Sequence, residues 1–485
     1  MAKKRKIVDE LVRKNVLCPF STPDGKYWIE VADGETRKVF NPRDNDFLMV
    51  LRDLTKKCDG EGLSVGDCKD EIADLEFYAY QHPSERNLAH RIAYNRTENC
   101  IYYDADANHG CAYKIDVKGY EEITTPSMVF QQNTTYAAQV APDTDAEAYE
   151  LPELVRKHFR FKNEEDRMLF SIYLVTTFLN PLINVPMLIL QGEKGSSKSS
   201  ILRRIERIVD PKSTDVMGAP RSDADLEIRL NNSYFTTLDN LSYISKRTSD
   251  LLARAITGGS SSRRQLYSNT KEVSLDLRCV IALNGIGLVA TEADLLDRSI
   301  VFKLRRIPQS EIRTEKELEE TFSEDLPKIL GAIFLCISEV FADEEPVTLQ
   351  KRTRMADWFE LAVKVGRIFG MEDDETAKII WKNHRAVNQQ TLGENLIAQC
   401  ILELMGSEKE YFGSVTDLLG DLCEIAERNA IKSSQLPGQP NVLSRRLNEL
   451  KSNLEEAGVF FEIKNVGPFR QIHIWKTKKR RKSKN

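Results

Sequence analysis

The residues best suited to chemistry lie near the middle of the chain, in the run Gly192-Glu193-Lys194-Gly195-Ser196-Ser197-Lys198-Ser199. Glycines at 192 and 195 let the backbone curl so that its N–H groups point at phosphate oxygens. At this spacing Lys198 reaches the β- and γ-phosphates of a nucleotide, and the Ser199 hydroxyl binds Mg²⁺. Ser200 opens the helix that follows, whose N-terminus adds its dipole. The predicted ligands are therefore ATP and Mg²⁺, with residues 192–200 as the cradle. Ser197 stands where such loops usually carry their last glycine.

A second group of residues completes this chemistry. Asp239, at the end of the β-branched run Tyr234-Phe-Thr-Thr-Leu, is placed to hold Mg²⁺ with Ser199. Asn240 follows, where many ATPases of this type have a glutamate as general base. An amide orients water but cannot take its proton, so Glu193 and Glu272 are the alternative bases. Asn284 ends another apolar run and can bond the γ-phosphate or the attacking water. Arg298, in Asp294-Leu-Leu-Asp297-Arg298-Ser, suits a finger reaching a neighbour's nucleotide. The plainer alternative is an ion pair with Asp294 or Asp297.

Elements must position these groups. Pro186–Gln191 reads as a buried strand and 200–209 as a helix. Strands and helices alternate over 186–305, the pattern of a parallel sheet covered by helices. Helices are expected at 151–159, 163–179, 311–342 and 347–385. Residues 1–135 read as a mixed α/β domain with a hairpin at Asp33-Gly34, and the polar stretch 136–150 as a linker. Three helical stretches and two strands over 391–476 have the order of a winged helix, followed by a basic tail at 477–485.

The series Gly-x-x-Gly-x-Ser-Lys198-Ser, Leu-Asp239-Asn240-Leu-Ser, Thr257-Gly-Gly, Ala282-Leu-Asn284-Gly-Ile, Asp294-Leu-Leu-Asp-Arg298-Ser and Arg354-Met-Ala-Asp resembles AAA+ replication proteins of mobile genetic elements. These include replication-initiator helicases of pathogenicity islands and cassette chromosomes, similar to minichromosome-maintenance helicases. The resemblance covers 160–370 well, 395–476 more loosely and 1–135 only in outline. It implies an AAA+ P-loop core over 151–390 with a helical lid, and a ring, usually a hexamer, with ATP between subunits. Lys198, Ser199, Asp239 and Asn284 would act within one subunit and Arg298 from the next. Arg354 matches a second sensor arginine, with Arg352 close by as a competitor. The implied activity is that of an ATP-dependent DNA helicase that initiates replication; an AAA+ remodeller or loader without unwinding is the alternative.

Two basic groups are candidates for DNA. Residues 262–277 read as a hairpin, which in similar helicases points into the ring channel toward single-stranded DNA. Lys271 is the candidate tip, with Arg263 and Arg264 behind it. The run Asn441–Lys451 reads as a recognition helix for duplex origin DNA, with Leu443, Leu447 and Leu450 inward and Arg445, Arg446 and Lys451 outward. Solvated charged faces are the plain alternatives to both.

Composition narrows the setting. A net charge of −5 over 485 residues does not mark the whole chain as a nucleic-acid binder, but both ends are basic. No signal peptide or membrane span is expected, and the nine scattered cysteines have no CxxC pair, so the expectation is a reduced, cytoplasmic protein. Cys100, His109 and Cys111 lack a fourth zinc ligand at motif spacing. Asp104 and Asp106 could hold a metal, as in a primase, but their setting reads as a turn-rich loop.

Overall fold

The computed structural model describes residues 2–476, except 24, 35, 107–109, 125, 132–134, 215–217, 219, 265–271, 288–289, 291, 312, 350 and 467–468. It is a mixed α/β fold containing a parallel sheet. The chain opens with α1 (Ala2–Arg13), the antiparallel strands β1 (Leu17–Ser21), β2 (Tyr27–Asp33) and β3 (Thr36–Phe40), then α2 (Asn45–Asp59) and α3 (Val65–Gln81). The hairpin expected at Asp33-Gly34 joins β2 to β3, with Gly34 at φ +65°. Phe47, Leu51, Leu63 and Leu75 bury the helices against this small sheet.

Next come β4 (Leu88–Ala89), β5 (Ile92–Asn95), β6 (Cys100–Asp106), β7 (Cys111–Asp116), β8 (Gly119–Ile123) and β9 (Val129–Phe130). β5 to β8 form an antiparallel meander. Its inward residues Ile92, Ile101, Tyr103, Tyr113 and Ile115 share one core with residues from 146 to 380. The core therefore runs continuously across residue 135. Residues 136–150 do connect two regions, but they are docked rather than loose. Gln139 bonds the Tyr103 hydroxyl and the carbonyls of Arg207 and Ile208, and Ala146 and Ala148 are buried.

The central region runs α4 (Leu151–His158), α5 (Glu164–Thr177), β10 (Met187–Gly192), α6 (Lys198–Val209), α7 (Asp223–Asn231), β11 (Phe235–Leu241), α8 (Lys246–Ile256), β12 (Ser260–Arg264), β13 (Glu272–Asp276), β14 (Val280–Gly285), α9 (Ala293–Leu296) and β15 (Ser299–Leu304). Asn163 caps α5 as its sequence suggests, accepting from Asp166 N. The sheet order is β11-β14-β10-β15, all parallel. Its strands are buried on both faces, which explains their unbroken apolar runs. Helices α10 (Glu315–Ala342), α11 (Ala356–Ile368) and α12 (Asp373–Glu394) follow. Residues 347–349 and 351–355, at the start of a stretch expected to be mostly helical, are not helical.

A buried polar hub ties the meander to this sheet. Arg91, 1% exposed, donates to Asp210, to the carbonyl oxygens of Asp104 and Ala137, and to that of Pro211. Asp210 in turn accepts from Phe235 N at the start of β11. Asp104 is 3% exposed, and burial pushes its carboxyl up to about 7. Among the described residues no group of acids, histidines and cysteines could hold a metal.

The C-terminal region runs α13 (Leu396–Ser407), β16 (Glu410–Ser414), α14 (Val415–Arg428), α15 (Pro440–Glu449), α16 (Lys451–Glu456), β17 (Val459–Val466) and β18 (Phe469–Lys476). Its sheet, β16-β18-β17, is antiparallel and contains a strand, β16, that the sequence reading missed. The five residues Glu-Tyr-Phe-Gly-Ser are too short and too little alternating to announce a strand.

Candidate functional site at the open edge of the parallel sheet

The run 192–199 joins β10 to α6 at the C-terminal edge of the parallel sheet, where ligands bind in open α/β folds. Gly192 is required by contact: a Cβ there would lie 2.5 Å from Ser196 Oγ and 2.8 Å from the Leu304 carbonyl oxygen. Gly195 turns through φ +80°, and Ser197, the N-cap of α6, through φ 61°. A glycine is expected at Ser197 because the position is left-handed; serine pays roughly 1 kcal/mol for it. Lys198 is the first residue of α6. Its ammonium donates to the carbonyls of Gly192 (2.6 Å) and Glu193 (2.9 Å), which puts the charge inside the loop. Burial pulls its pKa below the ordinary value, and Asp239 opposes that.

The partners expected on neighbouring strands converge here. Ser199 Oγ donates to Asp239 Oδ1 at 2.8 Å, and Asn284 Nδ2 donates to the same oxygen at 2.5 Å. Asn284, 1% exposed at the end of β14, also accepts from Asn240 N at 2.7 Å. Asn240 lies in an irregularity of β11 with φ 57°, a conformation asparagine tolerates better than glutamate. Its side chain is exposed, as is that of Glu193. Loop, hydroxyl, carboxylate and amide thus form one connected group from three adjacent strands, able to take an oxyanion together with a hard cation.

The two arginines lie elsewhere. Arg298 precedes β15, whose register pairs Ser299 with Met187 and Leu304 with Gly192. At roughly 3.3 Å per residue the six steps from 298 to 304 set Arg298 about 20 Å from the start of its own loop, at the opposite edge of the sheet. It pairs with Asp294 at 3.1 Å, the ion pair offered as the plain alternative, while among the described residues its buried Nε meets no partner. Arg354, half exposed, pairs with the same Asp294 at 2.7 Å and lies 3.7 Å from Asp297. Both arginines are therefore gathered at the far edge, whereas Arg352 pairs with Glu360.

Sequence reading missed a basic cleft beside the loop. Arg156, Lys157, Arg160, Lys162, Arg305 and Arg306 line about 1240 Å³ of open space with Phe159 and Phe161. Arg306 approaches Gly195, and Ile307 N donates to the Gly195 carbonyl at 3.2 Å. The available signal was the pair Arg305-Arg306 directly after a strand, at the edge that carries the loop.

The candidate DNA residues are dispersed. β12 pairs antiparallel with β13, so the hairpin exists, and Arg263 and Arg264 belong to its first arm. Its turn, with Lys271, lies outside the described residues. In α15, Leu443 and Leu447 are buried and Arg445 and Arg446 exposed, while Leu450 is buried just beyond its end. Lys451 starts the separate α16, 3.9 Å from Glu455.

Comparison with known families adds an independent finding. Residues 153–378 match the model of the actinomycete integrative conjugative element replication protein, AICE RepA. Residues 397–484 match that of the AICE RepA C-terminal domain. Over both regions the chain is similar to this replication-protein family. The first match of this RepA-type chain contains every loop and strand residue of the candidate site, and the second contains α15 and the basic tail. No curated protein matches it. Solved structures described as the A form apo structure of NrS-1 C terminal region-CTR and the apo structure of NrS-1 C terminal region (305-718) are each 11% identical. They cover 97% of this chain and 98% and 99% of theirs, with TM-scores of 0.41 and 0.42, too distant to bear on function. No described helix of the RepA-type chain is long and apolar enough to cross a membrane.

Proposed function

We propose that this mobile-element replication protein is an AAA+ P-loop ATPase that unwinds DNA as a ring, most simply a hexamer, and initiates replication. The observation that carries the ATPase reading is the connected group of Lys198, Ser199, Asp239 and Asn284 at one sheet edge. Residues 192–200 would hold the phosphates of ATP. Ser199 and Asp239 offer the oxygen ligands that Mg²⁺ prefers, and the bound ion would neutralise phosphate charge. Asn284 would position the attacking water or the γ-phosphate, and Asn240 can orient water but not take its proton.

The ring reading is supported by the far-edge placement of Arg298 and Arg354. Neither can serve its own loop, and both suit a neighbour's phosphates. The C-terminal region has the element order of a winged helix, with α15 presenting Arg445 and Arg446 toward duplex DNA and the 260–276 hairpin assigned to single-stranded DNA in the channel. Asn240 favours a second reading, a remodeller or loader that turns ATP over slowly without unwinding.

The test combines turnover, unwinding and mixing. Lys198→Ala should abolish ATP hydrolysis yet leave duplex binding largely intact; full turnover in that variant would sink the ATPase assignment. Mixing Lys198→Ala with Arg298→Ala subunits should restore some competent interfaces. If no mixture recovers activity while both variants assemble, the arginine does not act between subunits. A forked duplex left unopened by an ATP-hydrolysing wild-type ring would favour the loader.

A further inference from the structure

The two faces of the β16-β18-β17 sheet are chemically different. Val459, Phe461, Ile472 and Ile474 point inward to the helices of the C-terminal core. Side chains alternate along a strand, so residues 410, 412, 460, 462, 471, 473 and 475 point the other way. The register sets Phe412 opposite His473, and Trp475 opposite Phe460. These four side chains form a row across all three strands, with successive ring planes inclined by 11°, 33° and 21°. Phe412 stacks on His473 with centroids 3.9 Å apart and planes at 11°. His473 lies 4.7 Å from Trp475, and Trp475 6.1 Å from Phe460 at 21°. The row ends at Phe412, which is 68% exposed.

A soluble surface seldom spends four rings on one stack, and α15 does not explain it, because α15 packs on α14 and α16, on the helical side of this sheet. The charges nearby select the occupant. Lys464 is exposed on this face of β17, and the sequence from Lys476 to Asn485, directly after Trp475, carries seven Lys/Arg. The acids on this face are paired, Glu410 with His473 and Glu462 with Lys464. A second copy of the chain would bring an equal positive cluster against the first. An intact duplex offers no free base faces.

We propose that this outer face is a stacking platform for single-stranded nucleic acid, on which an unpaired base continues the aromatic row at Phe412 while the adjoining cations meet the backbone. The platform does not rest on the ATPase reading. It adds a site for a separated strand on the same domain, on the side of the sheet opposite α15.

The full chain is titrated, without nucleotide, with an oligothymidylate of about 20 nucleotides, longer than one small domain covers. Emission from Trp475 is taken as the difference between the wild-type chain and Trp475→Phe. The expected result is quenching of that component. Phe412→Leu should weaken oligonucleotide binding about tenfold, the scale of one lost stacking partner. Phe412→Tyr should restore it, and duplex affinity should be unchanged in both. Lys198→Ala should leave the quenching intact, which separates failure of the platform from failure of the ATPase. An unmoved Trp475 signal at saturating oligonucleotide overturns the proposal, and so does an equal loss of duplex binding in Phe412→Leu. A drop in assembly mass with unchanged oligonucleotide affinity would instead make the face a contact between subunits.

Discussion

At the scale of single residues, the candidate site is a matter of close fit. Gly192 is held between Ser196 and the backbone of Leu304, and the carbonyl cannot move without disturbing β15. Gly192→Ala should therefore cost about 1–3 kcal/mol of stability and displace the loop. The expected outcome is a lowered melting temperature together with lost nucleotide affinity, measured by titration with ATP. Wild-type affinity in this variant would mean that the loop does not hold phosphate. Ser197 and Asn240 show the converse: both occupy left-handed conformations, and their identities answer backbone geometry as much as chemistry.

At the scale of elements, the hub around Arg91 aligns the C-terminal end of α6 and the start of β11 with the meander. Arg91 and Asp210 are 3.0 Å apart and almost fully buried. Arg91→Met would remove the nearer cation of Asp210 and leave it Lys212 at 3.6 Å, an effect of about 3 kcal/mol, at the lower end for a broken buried pair. Calorimetry should record a marked fall in melting temperature. Adding Asp210→Asn should recover part of it, because the under-compensated buried carboxylate is then gone. If the double variant is no better than the single one, the loss came from packing alone.

At the scale of the whole molecule, the far-edge arginines are linked to the C-terminal region. His384 of α12 lies 3.5 Å from Asp297 and 3.4 Å from Glu456 of α16, with the Trp381 ring beside it and Arg354 on the far side of Asp297. Asn388 and Asn453 bond each other nearby, and Lys246 reaches Glu449 of α15. The Asp297 hydrogen bond raises the His384 pKa, with Glu456 adding to it against burial. A raised folded value gives stability that is fully present below the unfolded value of about 6.5 and lost as pH rises through the folded one. Docking of the C-terminal region should thus loosen from about pH 6.5 upward. Limited proteolysis between α12 and α13 across that range should show it, and His384→Gln should flatten the dependence. A profile unchanged by the substitution would assign the effect to another group.

The sequence by itself determined what depends on neighbours along the chain. The loop 192–199, the α5 cap at Asn163, the Asp33-Gly34 hairpin and the buried strands are local patterns of hydrogen bonding and apolar spacing. So was the expectation that Asp239 and Asn284 end strands beside the loop. Tertiary structure decided what depends on register and packing between distant segments. It brought Asp239 and Asn284 onto one oxygen-rich group, and it carried Arg354 away from its own loop to share Asp294 with Arg298. It docked residues 136–150, whose polar composition conceals backbone and amide bonds to buried partners. It also assembled the aromatic row by pairing β16 with strands that follow it by more than 40 residues in the chain, which becomes visible only when the register of β16, β17 and β18 is known. Local propensity reports which element forms; which side chains meet is set by the burial that all elements achieve together.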